Sequence, residues 1–179
     1  MNSTAPGCAA QDDNPYLLAR SGAQLRLRPA TPTDGPLIAE FFRRLAPEDL
    51  RFRFLDGGKP PRAVDIDAML NLDPQRDRHI LGFDTATGQL IASMMILAEP
   101  REPAAEVAIA VATEWKGRGI GWTLLHHAIS LGRMSGLKKL RSIEFRTNCE
   151  ALDVERALGF RPIDANDDPN LVLMELDLA

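Results

Sequence analysis

The first half of the chain changes from an alternating to a helical pattern of apolar residues. Residues 24–29 alternate leucines with arginines, and with residues 16–20 they flank a Ser-Gly turn, which predicts a β-hairpin. Between residues 37 and 45 the apolar side chains recur at helical spacing, after a run of threonine, proline and aspartate that is typical of a helix start. Pro47 begins a second short helix, and a third is expected to run through residue 70.

From His79 onward the apolar residues recur with a period of two, which predicts strands. Residues 79–84 and 89–97 form a predicted hairpin, and residues 105–112 form a third strand. A glycine-rich run follows. Beyond it the pattern predicts a helix at residues 120–131, a strand at 140–146, a helix that begins at 148 and a last strand at 171–178. This order predicts an α/β (α+β) fold, with a mixed sheet and helices on both faces.

The 179 residues suffice for one domain with its own apolar core. We expect residues 1–15 to be disordered and residues 16–179 to form a single domain. The composition is 45% hydrophobic and 26% charged, and the net charge of −4 gives no indication of nucleic-acid binding. With no stretch of transmembrane length and no signal peptide, we expect a cytoplasmic protein with no membrane partner. Cys8 and Cys149 form no metal-binding pattern, so no metal is predicted.

A short run between the third strand and the following helix has the composition of an anion-binding loop. It consists of Lys116, Gly117, Arg118, Gly119, Ile120 and Gly121. Alternate glycines let a ligand approach the backbone, and the helix start supplies unpaired N–H groups. Two cationic side chains add charge that suits phosphate oxygens. The run therefore predicts a pyrophosphate site, with a glycine-rich turn that holds no ligand as the structural alternative.

Two other phosphate-binding motifs do not match this run. A P-loop needs Gly-Lys followed by Ser or Thr, and the chain's Gly58-Lys59 precedes Pro60. A Rossmann turn needs a glycine three residues after Gly119, where Trp122 stands.

The run resembles the acyl-CoA pyrophosphate loop of the GCN5-related N-acetyltransferases, whose pattern is Gln or Arg, two residues, Gly, one residue, then Gly or Ala. Lys116 takes the first position in place of Gln or Arg. Asn148 with Ala151 three residues on, and the later Leu158-Gly159-Phe160, follow in the family's order. The segment from Leu45 to Phe54 also resembles the acetyltransferase domain of the bacterial Pat-type protein lysine acetyltransferases. The similarity covers roughly Tyr16 to Pro162.

This resemblance implies a twisted, mostly antiparallel sheet that splits after the predicted strand at residues 105–112, with acetyl-CoA lying in the split as cosubstrate. The backbone of Ile109, Ala110 and Val111 would pair with the pantetheine arm in the manner of an added strand. Residues 116–121 would hold the pyrophosphate. Asn148 would contact the cofactor arm near the thioester.

Acyl transfer to an amine needs a base, because a lysine ammonium must lose its proton before it attacks. Glu106 lies three residues before Ile109 and matches the catalytic glutamate of the Pat-like domains; a solvated strand-end charge is the alternative. Glu102 and Glu114 are poorer candidates. The family often places a tyrosine general acid at the position of Glu155, which we expect to be an exposed helix charge here. We therefore predict no tyrosine acid.

Three functions are compatible with these residues. The first is transfer of acetyl to protein lysine amines by direct attack, with Glu106 as the base. The second is the same chemistry on a small amine such as a polyamine or an aminoglycoside. The third is an acyl-CoA-binding regulatory module without turnover, which a solvent-facing Glu106 would favour. The sequence does not indicate the oligomeric state.

Overall fold

The computed structural model describes residues 15–163 and 168–178, which form eight strands and five helices. The strands are β1 (Tyr16–Leu18), β2 (Gln24–Pro29), β3 (Arg78–Asp84), β4 (Leu90–Ala98), β5 (Ala104–Val111), β6 (Lys139–Phe145), β7 (Arg161–Ile163) and β8 (Leu171–Asp177). The helices are α1 (Gly35–Arg43), α2 (Pro47–Phe54), α3 (Ala63–Leu70), α4 (Ile120–Met134) and α5 (Cys149–Ala157). The predicted disorder of residues 1–15 falls, apart from Pro15, outside the described residues.

All eight strands belong to one sheet, in the order β1-β2-β3-β4-β5-β6-β8-β7. Neighbouring strands are antiparallel, except that β5 and β6 are parallel. The predicted mixed, mostly antiparallel sheet is therefore confirmed. The parallel pair is a consequence of the chain passing through α4 between the two strands, since a crossover helix returns the chain in the same direction.

The β5–β6 pairing ends early, and the sheet splits beyond it. Paired residues run only from Ala104–Lys139 to Glu106–Arg141. Past that point β5 stays paired with β4 as far as Val111, and β6 stays paired with β8 as far as Phe145. The two halves of the sheet thus diverge, which leaves a wedge whose closed end lies at Glu106 and Arg141.

The helices are held to the sheet by apolar faces. Ile38, Phe41 and Phe42 lie on one face of α1 and are fully buried, as their helical spacing predicts. The start of α1 is tied to β2, because both guanidinium Nη atoms of Arg28 donate to Asp34 at 2.7 Å. This pairing holds the pKa of Asp34 well below its usual range. Helix α4 packs on β5 and on α5, and α2 packs on β5.

Two details differ from the sequence prediction. Strand β7 was not predicted, because three residues that include Pro162 show no alternation of apolar and polar positions. The first arm of the predicted hairpin is also shorter than expected and ends at Leu18.

Candidate active site

The wedge between β5 and β6 is a cleft of about 260 Å³. Its walls come from both strands, from α2, and from the helices α4 and α5. The side chains and backbone that line it include Asp49, Phe52, Arg53, Val107, Ile109, Ala110, Val111, Trp115, Lys116, Gly117, Gly119, Ile120, Gly121, Ser142, Glu144, Asn148, Val154 and Glu155. Nearly all the residues singled out in the sequence thus meet in one place, and Trp115 forms part of the wall.

The glycine-rich loop forms the open end of the cleft. Gly117 and Gly119 have φ angles of 68° and 78°, which side-chain-bearing residues rarely adopt. A Cβ on Gly119 would also lie 3.2 Å from the Cβ of Arg20. Gly119 is the N-cap of α4 and has no side chain to cap the helix, so the first-turn N–H groups remain available to an anion.

Gly121 has a different reason to be a glycine. Its φ is not positive, and a Cβ built on it would meet no atom within 4 Å. Glycine in a helix is less stable than alanine by about 0.5–1 kcal/mol, so the protein's own packing gives no reason for it here. Because Gly121 lines the cleft, the empty space beside it is room for a ligand.

The two cations of the loop have different neighbours. Lys116 pairs with Asp49 of α2, which also accepts a hydrogen bond from the Thr113 hydroxyl at 2.9 Å. The guanidinium of Arg118 lies over the Trp115 ring, 4.6 Å from its centroid. Lys116 lines the cleft, whereas Arg118, predicted as a binding residue, contacts Trp115 and does not line the cleft.

The long side of the cleft is an open strand edge. Ile109, Ala110 and Val111 pair with β4 on one side, and their other edge faces the split because the pairing with β6 ends at Glu106. Extended backbone with a free edge can accept the amide groups of a ligand as an added strand. The cleft therefore fits an elongated ligand, with an anionic group at the loop and an amide-bearing arm along β5.

A half-buried carboxyl group, that of Glu144, and a buried one, that of Glu155, lie on the opposite wall. The sequence analysis missed the first and misjudged the second. The Asn148 amide Nδ2 donates to Oε2 of Glu144 at 2.7 Å, and the Ser142 hydroxyl donates to Oε1 of Glu155 at 2.5 Å. Glu155 is only 4% exposed, so the prediction of an exposed helix charge is wrong. The available signal concerned Glu144 alone, which lies on the same face of β6 as Leu140 and Ser142.

Burial raises the pKa of both carboxyl groups. The pKa of Glu144 rises to about 8, because burial disfavours its charge and Glu155 adds like-charge repulsion. The pKa of Glu155 rises to about 7, mainly by burial, against the opposing effects of the Ser142 hydrogen bond and Arg156. Burial therefore favours the protonated form of both carboxyl groups.

Glu106 lies in a small pocket beside the cleft, not in the cleft itself. This pocket of about 30 Å³ shares Phe52, Arg53 and Glu144 with the larger cleft. Glu106 is half-buried, and burial raises its pKa while the charge of Arg53 opposes the rise. Arg53 donates to the sulfur of Met95 at 2.9 Å, its Nε has no hydrogen-bond partner among the described residues, and burial lowers its pKa to about 10.

The remaining candidates lie away from this chemistry. Glu102 pairs with Arg141, and Glu114 pairs with Arg44. Cys149 is exposed at the start of α5. Across residues 15–163 and 168–178, no cluster of three metal-ligating side chains occurs. None of the helices in those ranges has the length and apolar character needed to cross a bilayer.

A split sheet with a glycine cradle at one end and a free strand edge along its side fits a long ligand that has an anionic group at one end and amides along its length. Comparison with known proteins agrees, since the profile of the acetyltransferase (GNAT) family matches residues 40–160. The chain belongs to this family of N-acetyltransferases, which use acetyl-CoA.

Individual relatives are similar over most of the chain. The acetyltransferase PA5475 of Pseudomonas aeruginosa is 26% identical over 159 residues, which cover 88% of this chain and 86% of that protein. The crystal structure of the GNAT domain of S. lividans PAT superposes with a TM-score of 0.82 at 22% identity, covering 92% and 96% of the two chains. A cAMP-binding acyltransferase from Mycobacterium smegmatis gives 0.62 at 23%, and its match covers 93% of this chain but 47% of that protein.

Proposed function

We propose that this protein transfers acetyl from acetyl-CoA to the side-chain amine of lysine residues in proteins, by direct attack of the amine on the thioester. The observation that carries the proposal is the split between β5 and β6, with an anion cradle at its open end and a half-buried carboxylate at its closed end. Acetyl-CoA supplies the thioester, and the chain supplies the binding surfaces and the base.

The binding residues follow from the shape of the cleft. The N–H groups of residues 117–121 would hold the pyrophosphate, and Lys116 would exchange Asp49 for a phosphate oxygen. Ile109, Ala110 and Val111 would bind the pantetheine amides through the free edge of β5. Asn148 lies on the facing wall, where its amide is oriented by Glu144.

Glu106 is the proposed general base. Its half-buried position raises its pKa, which brings the carboxylate closer to the range useful for accepting a proton from an ammonium group. Arg53 opposes the rise, and so keeps the carboxylate available in its ionised form. A carboxylate that was fully solvated would have favoured a binding module without turnover, and Glu106 is not in that state.

The acceptor is proposed mainly from resemblance. The pocket beside Glu106 has a volume of about 30 Å³, which leaves room for a primary amine group beside the carboxylate but not for a bulky one. The resemblance to Pat-type domains around Leu45 to Phe54 supports a protein acceptor, since this segment contains α2 and borders that pocket. A polyamine also ends in a primary amine group, so a small amine is the second candidate.

Mass spectrometry of acceptors incubated with the protein and acetyl-CoA tests this proposal. The panel comprises folded lysine-rich proteins, lysine-containing peptides and polyamines. We expect acetyl-lysine on the proteins and peptides. Acetylation of polyamines alone would replace protein lysine with the small-amine acceptor. Tight binding of acetyl-CoA without any acetylated product would identify a binding module instead.

A further inference from the structure

The cleft and the small pocket beside it share part of their walls, and the shared residues mark the passage between them. These residues are Phe52, Arg53, Val107, Ile109 and Glu144. The proposed function places acetyl-CoA in the cleft and the amine in the pocket beside Glu106. The thioester must then lie at the passage, because the nitrogen has to reach its carbonyl carbon. Arg53 is the cationic side chain of this shared set.

Helix α2 holds Arg53 at the passage. Arg53 follows Asp49 by four residues, which places both side chains on the same face of the helix, and both line the cleft. The Nη2 of Arg53 donates to the sulfur of Met95 at 2.9 Å, and a thioether sulfur is a weak acceptor. Among the described residues this is the guanidinium's only hydrogen bond, and its Nε is buried without a partner. Most of its N–H donors are therefore unused.

The charge of Arg53 has no close partner either. Glu106 of β5 and Glu144 of β6 attract it through space without a hydrogen bond to it, and its charge in turn disfavours protonation of His79 on β3. Burial lowers the pKa of Arg53 to about 10, so the guanidinium stays charged at neutral pH. A partly buried cation with unused donors is costly to the folded state, and in native proteins such groups often serve a ligand.

Attack of an amine on a thioester places negative charge on the carbonyl oxygen. The nitrogen forms a bond to the carbonyl carbon, and the π electron pair moves to oxygen. That pair then returns, the carbon–sulfur bond breaks, and its electron pair leaves on sulfur. Of the two protons that the ammonium nitrogen loses overall, Glu106 takes one and passes it to solvent, and the other reaches the thiolate through solvent. A donor near the oxygen lowers the barrier, because its hydrogen bond strengthens as the charge develops.

We propose that the guanidinium of Arg53 donates a hydrogen bond to the thioester carbonyl oxygen and stabilises the negative charge that forms there, an inference that rests on the proposed acetyl transfer. Arg53 keeps its own proton throughout, so its contribution is electrostatic. The other donors within reach of the passage are the backbone N–H groups on the free edge of β5. The experiments therefore have to separate a side-chain donor from a backbone donor, and from an indirect effect of Arg53 on Glu106.

Arg53→Met removes the donors and the charge but keeps a long side chain at the passage. Loss of one donor to a developing oxyanion usually lowers kcat by about a hundredfold to a thousandfold, and we expect a fall in this range. The affinity for acetyl-CoA should change by less than about threefold, because the hydrogen bond strengthens mainly in the transition state. Arg53→Lys keeps a cation without the planar fork and should recover part of the lost rate.

The matched control is Arg51→Met, the same substitution on the same helix. Arg51 is exposed, its guanidinium lies 4.3 Å from the centroid of the Phe145 ring, and it lines neither the cleft nor the small pocket. This variant should keep wild-type kcat and wild-type affinity for acetyl-CoA. An equal fall in kcat in both variants would assign the effect to helix α2 as a whole and overturn the inference.

The pH dependence of kcat separates a direct role from one through Glu106. The charge of Arg53 lowers the pKa of Glu106, so Arg53→Met should move the acid limb of the rate profile to higher pH. If this were the whole effect, the variant would regain the wild-type rate at high pH, where Glu106 is ionised in both proteins. A donor to the carbonyl oxygen predicts instead a lowered plateau. Recovery of the wild-type plateau overturns the inference.

Infrared spectroscopy of acetyl-CoA labelled with ¹³C at the thioester carbonyl gives a readout without turnover. The label isolates this carbonyl from every group of the protein. Its stretching frequency should be lower when bound to the wild type and to Arg51→Met than when bound to Arg53→Met. If Arg53→Met does not fold, as judged by thermal denaturation, Arg53→Lys replaces it, with a smaller change expected in the same direction.

Each result has a distinct meaning for the two proposals. The same carbonyl frequency in the wild type and in the Arg53 variant overturns the inference and points to the backbone donors of β5. Wild-type acetylation of lysine leaves the proposed function standing in that case. A wild type that binds acetyl-CoA and acetylates nothing overturns both.

Discussion

Gly121 provides a sharp test of where the anionic end of the ligand lies. It is the second residue of α4, and a Cβ there meets no protein atom within 4 Å. Gly121→Ala and Gly121→Leu should therefore both fold. Each replaces a flexible residue with a good helix former, which should stabilise the protein by about 0.5–1 kcal/mol. For a chain of this size, that raises Tm by roughly 1–4 °C.

The two variants should differ in ligand binding. Alanine adds one methyl group, and the family's loop pattern accepts alanine at this position, so acetyl-CoA affinity should change by less than about threefold. Leucine at position 121 extends a branched side chain into the cleft, where the pyrophosphate would approach the backbone. We expect its affinity to fall by at least about tenfold, equivalent to about 1.4 kcal/mol.

Thermal denaturation without ligand and isothermal titration with acetyl-CoA measure the two effects separately. The combination of a raised Tm and lost affinity in Gly121→Leu supports the cradle. A folded Gly121→Leu that binds acetyl-CoA as tightly as the wild type would refute the reasoning, because the start of α4 would then not face the ligand. Lost affinity in Gly121→Ala as well would mean that the ligand already touches the glycine.

Three further outcomes are expected. Lys116→Ala should weaken acetyl-CoA binding by about tenfold and reduce its salt dependence, measured by titration at two salt concentrations. His79 is buried against Met69 and Ser93, and burial lowers its pKa to about 4. Because the unfolded state then binds the proton more readily, the free energy of unfolding should fall by up to about 3 kcal/mol from pH 7 to pH 4, and less in His79→Gln. Because burial raises the pKa of Glu144 to about 8, its contribution to the free energy of unfolding is present below about pH 4.5 and is lost as the pH rises through 8. Denaturant titrations over this pH range should show the loss in the wild type and not in Glu144→Gln.

The strands and the glycine loop could be predicted because their signals are local. The alternation in residues 24–29 and the change of period at His79 correspond to β2 and β3. The positive φ angles of Gly117 and Gly119 are of the kind that a run of alternate glycines indicates. For these elements, a few neighbouring residues carry the information.

The burial of Glu155 could not be predicted in this way, because it depends on contacts between distant elements. Glutamate is rarely buried, so an exposed Glu155 was the natural expectation. Its position is set by Ser142, thirteen residues earlier, and by the divergence of β6 from β5. Arg118 is a similar case, since its contact with Trp115 depends on how the loop turns. Charge in the sequence indicates a cation near the site but not which way it points.

Release of free CoA thiol from acetyl-CoA by the wild type and by Glu106→Gln, with acetyl-CoA affinity measured on the same preparations, tests the central claim most directly. The account predicts turnover with a lysine-bearing acceptor that falls at least about a hundredfold in Glu106→Gln while the affinity for acetyl-CoA is unchanged. Equal turnover by the two proteins would contradict the role of Glu106 as the base. Absence of acetyl-CoA binding to the wild type would contradict the assignment of the cleft.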